Sequence, residues 1–465
     1  MGDVLFEPVL DLPVSREQAF AWHAREGAFE RLTPPFEPVR VEARSGRGIE
    51  VGATVRLRTG TPPFALTWLA EHTVFEPPAL FVDEQRKGPF ALWRHSHRFE
   101  AQGAAASRLV DSIEYRLPGA PLGGFFAGAF VRRKLKRLFE WRHRTTLLDL
   151  VAHARAAELL AERDKTNMRI LISGASGLVG SALSAFLTTG GHEVFSLRRG
   201  VSATGRGPTW DPDAGTIDAA ALEGFDAVVH LAGESIAGER WSERKKHAIR
   251  ASRVAGTRLL ADALARTERR PEVFVGASAS GIYGDRGEEV LHEDSPKGEG
   301  FLAEVASDWE DAARPVREVG TRLVHLRFGM VLDPRGGALK EMLLPAKFGV
   351  GGPLGSGQQW WQWIALDDVL DLVLSALTRT DFHGAYNAVA PEPIRQKDFA
   401  RILGKVLARP GFIPAPAFVL KLILGAMAEP LLLASARVEP RRLLAAGYRF
   451  RWPELEPALR ALLGR

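Results

Sequence analysis

The segment Met168–Gly180 constrains this chain more than any other. The short apolar run Met168-Arg169-Ile170-Leu171-Ile172 passes directly into Ser173-Gly174-Ala175-Ser176-Gly177-Leu178-Val179-Gly180, and a helical stretch follows from Ser181 to Thr188. The three glycines have different duties. Gly174 permits a tight turn, Gly177 lets the backbone come close to a pyrophosphate, and Gly180 lets the helix pack against the strand. The helix start then turns its free N–H groups toward anionic oxygens. A second strand is expected at Glu193–Leu197, so the glycine pattern sits in the strand–turn–helix–strand setting that gives it meaning. Gly174, Ser176, Gly177, Leu178 and Gly180 are the expected dinucleotide contacts of this turn.

The second strand ends in Arg198-Arg199, eighteen residues after Gly180, with no carboxylate at its tip. An acidic residue there would accept from both ribose hydroxyls of NAD, whereas an arginine fork suits a 2′-phosphate. The sequence therefore predicts preference for NADP(H) with NAD(H) possible, carried mainly by Arg198 with Arg199 assisting.

Further landmarks follow in order: Phe225-Asp226-Ala227-Val228-Val229-His230-Leu231-Ala232-Gly233, Val254-Ala255-Gly256-Thr257, Phe274–Gly284 with its Ile-Tyr-Gly turn, and Ile364-Ala365-Leu366-Asp367-Asp368-Val369. Together with the glycine turn these resemble the extended short-chain dehydrogenase/reductases. The run Trp241–Thr257, the pair Trp309-Glu310, Arg327-Phe328-Gly329-Met330-Val331-Leu332, Gly349–Gln358 and the tail Pro430–Leu459 narrow the resemblance to the SDR39U1-type, epimerase-like subfamily over residues 168–462. The resemblance implies an α/β Rossmann domain with a doubly wound parallel sheet at 168–390, and a C-terminal helical extension at 391–465 as a small substrate or tail subdomain. It places Leu231, Ala232 and Gly233 beneath the adenine side of the cofactor, and Arg253 near it where the wider family has Asn.

That family transfers protons with a Tyr, a Lys four residues on, and a Ser or Thr. Here the expected slots hold Phe301 and Val305, or Leu302 and Ala306, and Ala279 stands where the Ser is expected. Tyr283 belongs to the turn after the active-site strand. Ser278, Ser280 and Tyr283 are the candidate catalytic residues, each also readable as structural or as a cofactor contact.

A chain of 465 residues calls for two domains or more. The charged stretch Glu162-Arg163-Asp164-Lys165-Thr166-Asn167 reads as a linker. Before it, a short helical pair is expected from Ser15, its N-cap, to Leu32; Val39–Ala43, Thr54–Arg58 and Ser107–Leu117 alternate as strands, and Gly123–Ala157 reads as one long helix with the apolar residues Phe130, Leu135, Leu138 and Trp141 near helical spacing. This order resembles the START/Bet v 1-like helix-grip fold in its polyketide cyclase/dehydrase branch, an α+β domain spanning 1–160. The resemblance implies an apolar ligand cavity, with Phe64, Trp68, Phe75, Phe81, Phe90, Trp93 and Phe99 as lining. A solid aromatic core is the competing reading. The basic run Arg132, Arg133, Lys134, Lys136, Arg137 reads as a solvated helix face, with contact to an anionic surface as the other option.

The net charge of +5 is small for this length and gives no case for nucleic acid. With no cysteine there are no disulfides, thiolate metal sites or cysteine nucleophiles, and no metal site is read from the sequence. The N-terminus is acidic where a secretory signal is basic, and Phe418–Ala434 is interrupted by Lys421, Glu429 and Pro430, so a cytoplasmic protein without a membrane span is expected. Two functions stay open at this stage. One is an NADP(H)-dependent oxidoreductase or epimerase-like enzyme of atypical mechanism, acting on a small molecule and fused to a small-ligand domain. The other is a non-catalytic dinucleotide-binding sensor or scaffold.

Overall fold

A computed structural model describes residues 3–118, 124–200 and 207–465. The chain forms two compact units, one made mainly of Met1–Glu158 and the other of Leu159–Ser184 and His192–Leu463.

The first unit is built on an antiparallel sheet of eight strands: β1 (Val4–Phe6), β2 (Val9–Leu12), β3 (Val39–Ser45), β4 (Thr54–Thr59), β5 (Leu66–Glu76), β6 (Leu80–Lys87), β7 (Leu92–Ala101) and β8 (Ser107–Arg116). Their order is β1-β8-β7-β6-β5-β4-β3, with β2 also paired to β8. Two short helices, α1 (Arg16–Ala24) and α2 (Ala28–Leu32), lie between β2 and β3 in the chain, and the 38-residue α3 (Gly124–Ala161) ends the unit. Ser15 caps α1 as its sequence predicts: its hydroxyl accepts from the Gln18 N–H while the Gln18 side chain accepts from the Ser15 N–H.

Two expectations about the aromatics change. Phe64 is 83 % exposed in the turn before β5 and belongs to no lining. Phe130 is also exposed, and Phe139 is buried in its stead. On a helix Phe130 lies about 140° around the axis from Leu135, whereas Phe139, four residues on, shares its face. Phe81, Trp93 and Phe99 are buried, with Trp68, Phe75 and Phe90 packed partly against them. These rings interlock: Phe20 meets Phe99 at 5.4 Å and Trp68 meets Trp93 at 5.0 Å between centroids. Gly123 lies outside the described residues. In the basic run, Lys134 and Arg137 reach Glu37 at 2.9 and 3.4 Å, while Arg132, Arg133 and Lys136 are exposed.

The second unit begins with β9 (Arg169–Ser173), α4 (Leu178–Thr189), β10 (Glu193–Arg199), β11 (Thr209–Asp211), β12 (Thr216–Ile217), β13 (Ala227–His230), α5 (Glu243–Ala265), β14 (Val273–Ala279) and α6 (Phe301–Ala312). Its large sheet runs β12-β11-β10-β9-β13-β14 and continues with Arg322–Phe328 and Gly384–Ala388. All pairings are parallel except β11 with β12 at the edge. A parallel strand covered on both faces needs apolar residues on both, which is why Ile170, Leu171 and Ile172 in β9 are consecutive and fully buried. The chain moves from β9 to one side and later returns to place β13 on the other, so a topological switch point lies at the carboxyl ends of β9 and β13.

The tail contributes the helices Gln396–Leu407, Ala417–Leu424, Arg441–Ala445 and Leu455–Leu463. It is anchored to the sheet domain at Asp368, whose buried carboxylate accepts from the backbone N–H of Arg451 (2.6 Å) and Trp452 (3.1 Å). Among the described residues no helix is long and apolar enough to cross a membrane.

Candidate dinucleotide-binding site

The glycine turn sits at the switch point, and its three glycines are constrained by different neighbours. A side chain at Gly174, which has φ +71°, would place Cβ 2.9 Å from the Leu231 carbonyl group and from the Ala232 nitrogen. At Gly180 Cβ would fall 2.2 Å from the Gly174 carbonyl oxygen, so the first turn of α4 packs on the loop only without it. Gly177 differs. Its φ is not in the left-handed region, and Cβ would meet only the Gly174 oxygen, at 3.3 Å. Gly177 and Ser176 are exposed at the start of α4, and Leu178 is half-buried behind them. The protein itself asks little of Gly177; an anionic ligand approaching the α4 N-terminus would ask for its bare backbone.

Ser173 fastens the two strand ends together. Its hydroxyl accepts from the Leu231 and Ala232 N–H groups at 3.1 and 3.2 Å, which leaves its proton for Nδ1 of His230 at 2.6 Å. Nε2 of His230 then donates to the Thr257 hydroxyl at 2.9 Å. Burial alone pushes this imidazole down to about 4. In the unfolded chain the ring takes up a proton below about 6.5, and in the folded chain only below about 4, so this stabilisation is present above the first value and is lost as pH falls toward the second. The buried ring therefore contributes a stability loss of about 3 kcal/mol across that window. Thermal melts between pH 7.5 and 4.5 should show it, and His230→Asn should remove this share of the loss while His23, also pushed down to about 4 by burial, keeps its own. An unchanged profile in that variant would show that other groups control the pH response.

At the end of β10 the two arginines diverge. Arg198 is half-buried and donates to the Gly207 carbonyl at 3.0 Å. Arg199 is exposed, paired to β11 through its backbone, and its side chain makes no hydrogen bond among the described residues. Its charge acts on Glu234, just beyond β13. That carboxyl is held below its usual range by a hydrogen bond from Lys245 (2.7 Å), with the charges of Arg199 and Arg253 adding to the effect. Gly233 is exposed, Ala232 buried and Leu231 half-buried. Arg253 donates to the Glu234 carbonyl at 2.9 Å and stacks over Trp309 at 5.1 Å, and burial lowers its guanidinium to about 10. It clamps the backbone after β13.

The end of β14 carries a buried polar chain. Ser278 donates to Glu310 (2.7 Å), which also receives a two-point bond from Arg327 (2.8 and 2.9 Å). Arg327 donates in turn to the Tyr283 oxygen (2.9 Å), and Tyr283 donates to Asn387 (2.7 Å). Burial raises the Tyr283 hydroxyl above its ordinary value, although Arg327 opposes this. Ser278 and Tyr283 thus belong to one network, while Ser280 stands apart, its hydroxyl 3.4 Å from Gln362. The sequence singled out Glu310 and Arg327 only as resemblance landmarks and did not single out Asn387. The clue to Arg327 was a charge between apolar neighbours, Leu326-Arg327-Phe328; Glu310 stands among other acidic residues, Asp308 and Asp311, and had no such signal.

The first turn of α6 lies over the segment after β14, with Leu302 3.7 Å from the position of a Cβ on Gly281. Phe301 packs on Trp241 at 5.3 Å, and Val305 and Ala306 are buried. None of these side chains can carry a proton.

Comparison with known proteins finds three matching family models. Residues 170–389 match the NAD dependent epimerase/dehydratase family, 12–140 the family of polyketide cyclase / dehydrase and lipid transport, and 415–462 a domain of unknown function, DUF1731. The human epimerase family protein SDR39U1 is 38 % identical over 299 residues, which cover 64 % of this chain and 100 % of that protein. The Mycobacterium bovis epimerase family protein Mb2239 is 36 % identical over 293 residues, 63 % of this chain and 97 % of its own length. Among solved structures, a protein from Corynebacterium glutamicum described as a nucleoside-diphosphate sugar epimerase aligns over 99 % of this chain and 90 % of its own, at 34 % identity and a TM-score of 0.79. Human SDR39U1 (isoform 2), solved with NADPH, aligns over 64 % of this chain and 99 % of its own, at 36 % identity and a TM-score of 0.59.

Proposed function

Because this chain belongs to the SDR39U1-type epimerase family, with a polyketide cyclase-like domain ahead of its Rossmann-like domain, we propose that it is an NADP(H)-dependent oxidoreductase or epimerase-like enzyme working without the Tyr-x-x-x-Lys pair. The observation that carries the reading is the glycine turn at the switch point, where Gly177 keeps an open backbone face that the protein's own packing does not require. Gly174, Ser176, Gly177, Leu178 and Gly180 would hold the pyrophosphate, and Leu231, Ala232 and Gly233 would lie under the adenosine. Arg199 takes the larger share of the 2′-phosphate, since Arg198 is partly spent on Gly207. The NADPH-bound human relative supports this choice of cofactor. A bound dinucleotide supplies hydride transfer; the protein's part is to place it and to stabilise developing charge.

In this reading the tail would act as a cover. Arg240, in the loop after β13, donates to the carbonyls of Leu422 and Ile423, the latter at 2.7 Å, tying the tail helix Ala417–Leu424 to that loop. The first unit is read as a helix-grip domain for a small apolar ligand, supported by the lipid-transport description of its family. Its interlocked rings must part before such a ligand enters.

In this reading Tyr283 is a positioning residue. Tyr283→Phe removes the hydroxyl that joins Arg327 to Asn387 and should lower stability by about 1–3 kcal/mol. Turnover per folded molecule should stay within a few-fold of wild type. A loss of roughly 10²–10⁴-fold, the usual worth of a general acid/base, would instead make Tyr283 the proton donor. The function itself is tested by following NADPH oxidation with carbonyl, quinone and sugar-nucleotide substrates. If NADPH binds and none is consumed, the second reading gains, a dinucleotide-responsive sensor or scaffold; the apolar residues at 301, 302, 305 and 306 already favour it.

A further inference from the structure

The inner face of β7 reads Trp93, His95, His97, Phe99, all buried, while Arg94 and Arg98 on the other face are exposed. Two imidazoles thus interrupt an aromatic row in the core of the first unit. Burying polar rings in such a row costs free energy unless they have partners. Strand pairing supplies a carboxylate on each side: Asp83 on β6 lies opposite His95, and Asp111 on β8 lies opposite His97.

The two carboxylates stand differently to the rings. Asp111 Oδ1 is 3.3 Å from His95 Nε2 and 2.6 Å from His97 Nδ1, and its Oδ2 is held at 2.7 Å by His143 Nε2 from α3. Asp83 Oδ1 sits on the other side, 3.4 Å from His95 Nδ1 and 3.7 Å from His97 Nε2. Those separations are long for charge-assisted hydrogen bonds, which run about 2.7–2.9 Å. They approach the donor–donor distance of about 3.3 Å in a tetrahedron with metal–nitrogen bonds near 2.0–2.1 Å. One donor atom from each of Asp83, His95 and His97 lies within 4.8 Å of the other two.

We propose that Asp83, His95 and His97 bind one divalent transition-metal ion of the zinc or iron(II) class, with Asp111 as the carboxylate behind both imidazoles and the one that orients His95. Metal-ligating histidines usually give their second N–H to a carboxylate, which fixes the tautomer and aims the free nitrogen at the ion. Asp111 meets His95 Nε2 in that way and lies beside His97 Nδ1 out of line for a hydrogen bond, leaving His95 Nδ1 and His97 Nε2 for the Asp83 side. Two imidazoles and one carboxylate favour such ions over calcium or magnesium, which prefer oxygen donors. His72 on β5 lies opposite Asp83, and its buried Nδ1 has no hydrogen-bond partner among the described residues. The remaining coordination positions fall to water or to His72.

The test uses the full chain, stripped with a chelator and titrated with Zn²⁺ by calorimetry and with Co²⁺ by visible absorption. The expected result is one ion per chain at micromolar affinity or tighter, visible bands from nitrogen-ligated Co²⁺, and a melting temperature that rises with Zn²⁺. Asp83→Asn and His95→Gln should each weaken binding at least 100-fold, and Asp111→Asn by about 10–100-fold, the usual effect of losing an orienting carboxylate. His383→Gln, at an exposed histidine, should change nothing. Circular dichroism checks that each variant is folded. If one does not fold, the wild-type Co²⁺ spectrum decides, because a surface site of carboxylates and water lacks the nitrogen-ligand bands. No uptake of either ion by the wild type would overturn the proposal, as would unchanged stoichiometry and affinity in folded Asp83→Asn and His95→Gln. The cluster would then be a closed network of imidazoles and carboxylates.

Discussion

Gly177→Ala should leave the fold intact and remove dinucleotide binding, whereas Gly180→Ala should damage both. At Gly177 the added methyl meets only the Gly174 oxygen at 3.3 Å, and the backbone there is one an alanine adopts without strain. A shift of a few tenths of an ångström relieves the contact, so the stability change should stay within about 1 kcal/mol. The same methyl stands where a pyrophosphate would meet the backbone. A loss of about 100-fold or more in NADPH affinity is expected, equivalent to about 2.7 kcal/mol. At Gly180 the methyl falls 2.2 Å from the Gly174 oxygen and 2.8 Å from Ala175 Cα, all backbone atoms of the turn with no flexible side chain to yield. The turn or the first turn of α4 must move, at a cost of about 1–3 kcal/mol or more. Calorimetric titration with NADPH and thermal melts of both variants separate the outcomes. A Gly177→Ala protein that binds NADPH like wild type would remove the main support for a dinucleotide at this turn.

How much of this was legible in the sequence follows from the range of the interactions involved. The glycine turn is a local device: all the residues that make it lie within one strand, one loop and one helix start, so their spacing is enough. The Ser15–Gln18 cap is local in the same sense. The strand pairing of the first unit is not. His95 and His97 share a face of one strand, which alternation alone gives, but Asp83 and Asp111 reach them only through the register of β6 and β8, and no local pattern specifies register. The same holds at the end of β14. Ser278 and Tyr283 share one segment, but Glu310, Arg327 and Asn387 come from three others, and the sequence flagged Ser278 and Tyr283 without the partners that define their role. The error at Phe130 has a different origin. A single apolar residue near the right spacing was assigned to the buried side of α3, although Val131, Leu135 and Phe139 form the stricter i, i+4 row.

The identity of the cofactor should follow from the tip of β10. Wild-type protein is expected to bind NADPH at least about tenfold more tightly than NADH, because a guanidinium meets a 2′-phosphate by charge and paired hydrogen bonds, while nothing acidic at the tip accepts from the NAD ribose. The two arginines should contribute unequally. Arg199 is exposed, and its charge acts on Glu234. Arg198 donates to the Gly207 carbonyl, so its fork is partly committed to the sheet edge. Arg199→Asp removes the attraction and introduces repulsion, and should weaken NADPH by about 100-fold, or about 2.7 kcal/mol. The new carboxylate can accept from ribose hydroxyls, so NADH affinity should hold or rise and the preference should invert. Arg198→Asp should cost less in NADPH affinity and more in stability, because it releases the Gly207 carbonyl. Glu234 sets a limit on all of this. It lies near the same edge, and only while Lys245 neutralises it does Arg199 keep its full pull on a phosphate. Lys245→Met should therefore weaken NADPH more than NADH. Equal affinity of the wild type for the two cofactors would sink the assignment, and so would an Arg199→Asp variant that keeps its NADPH affinity.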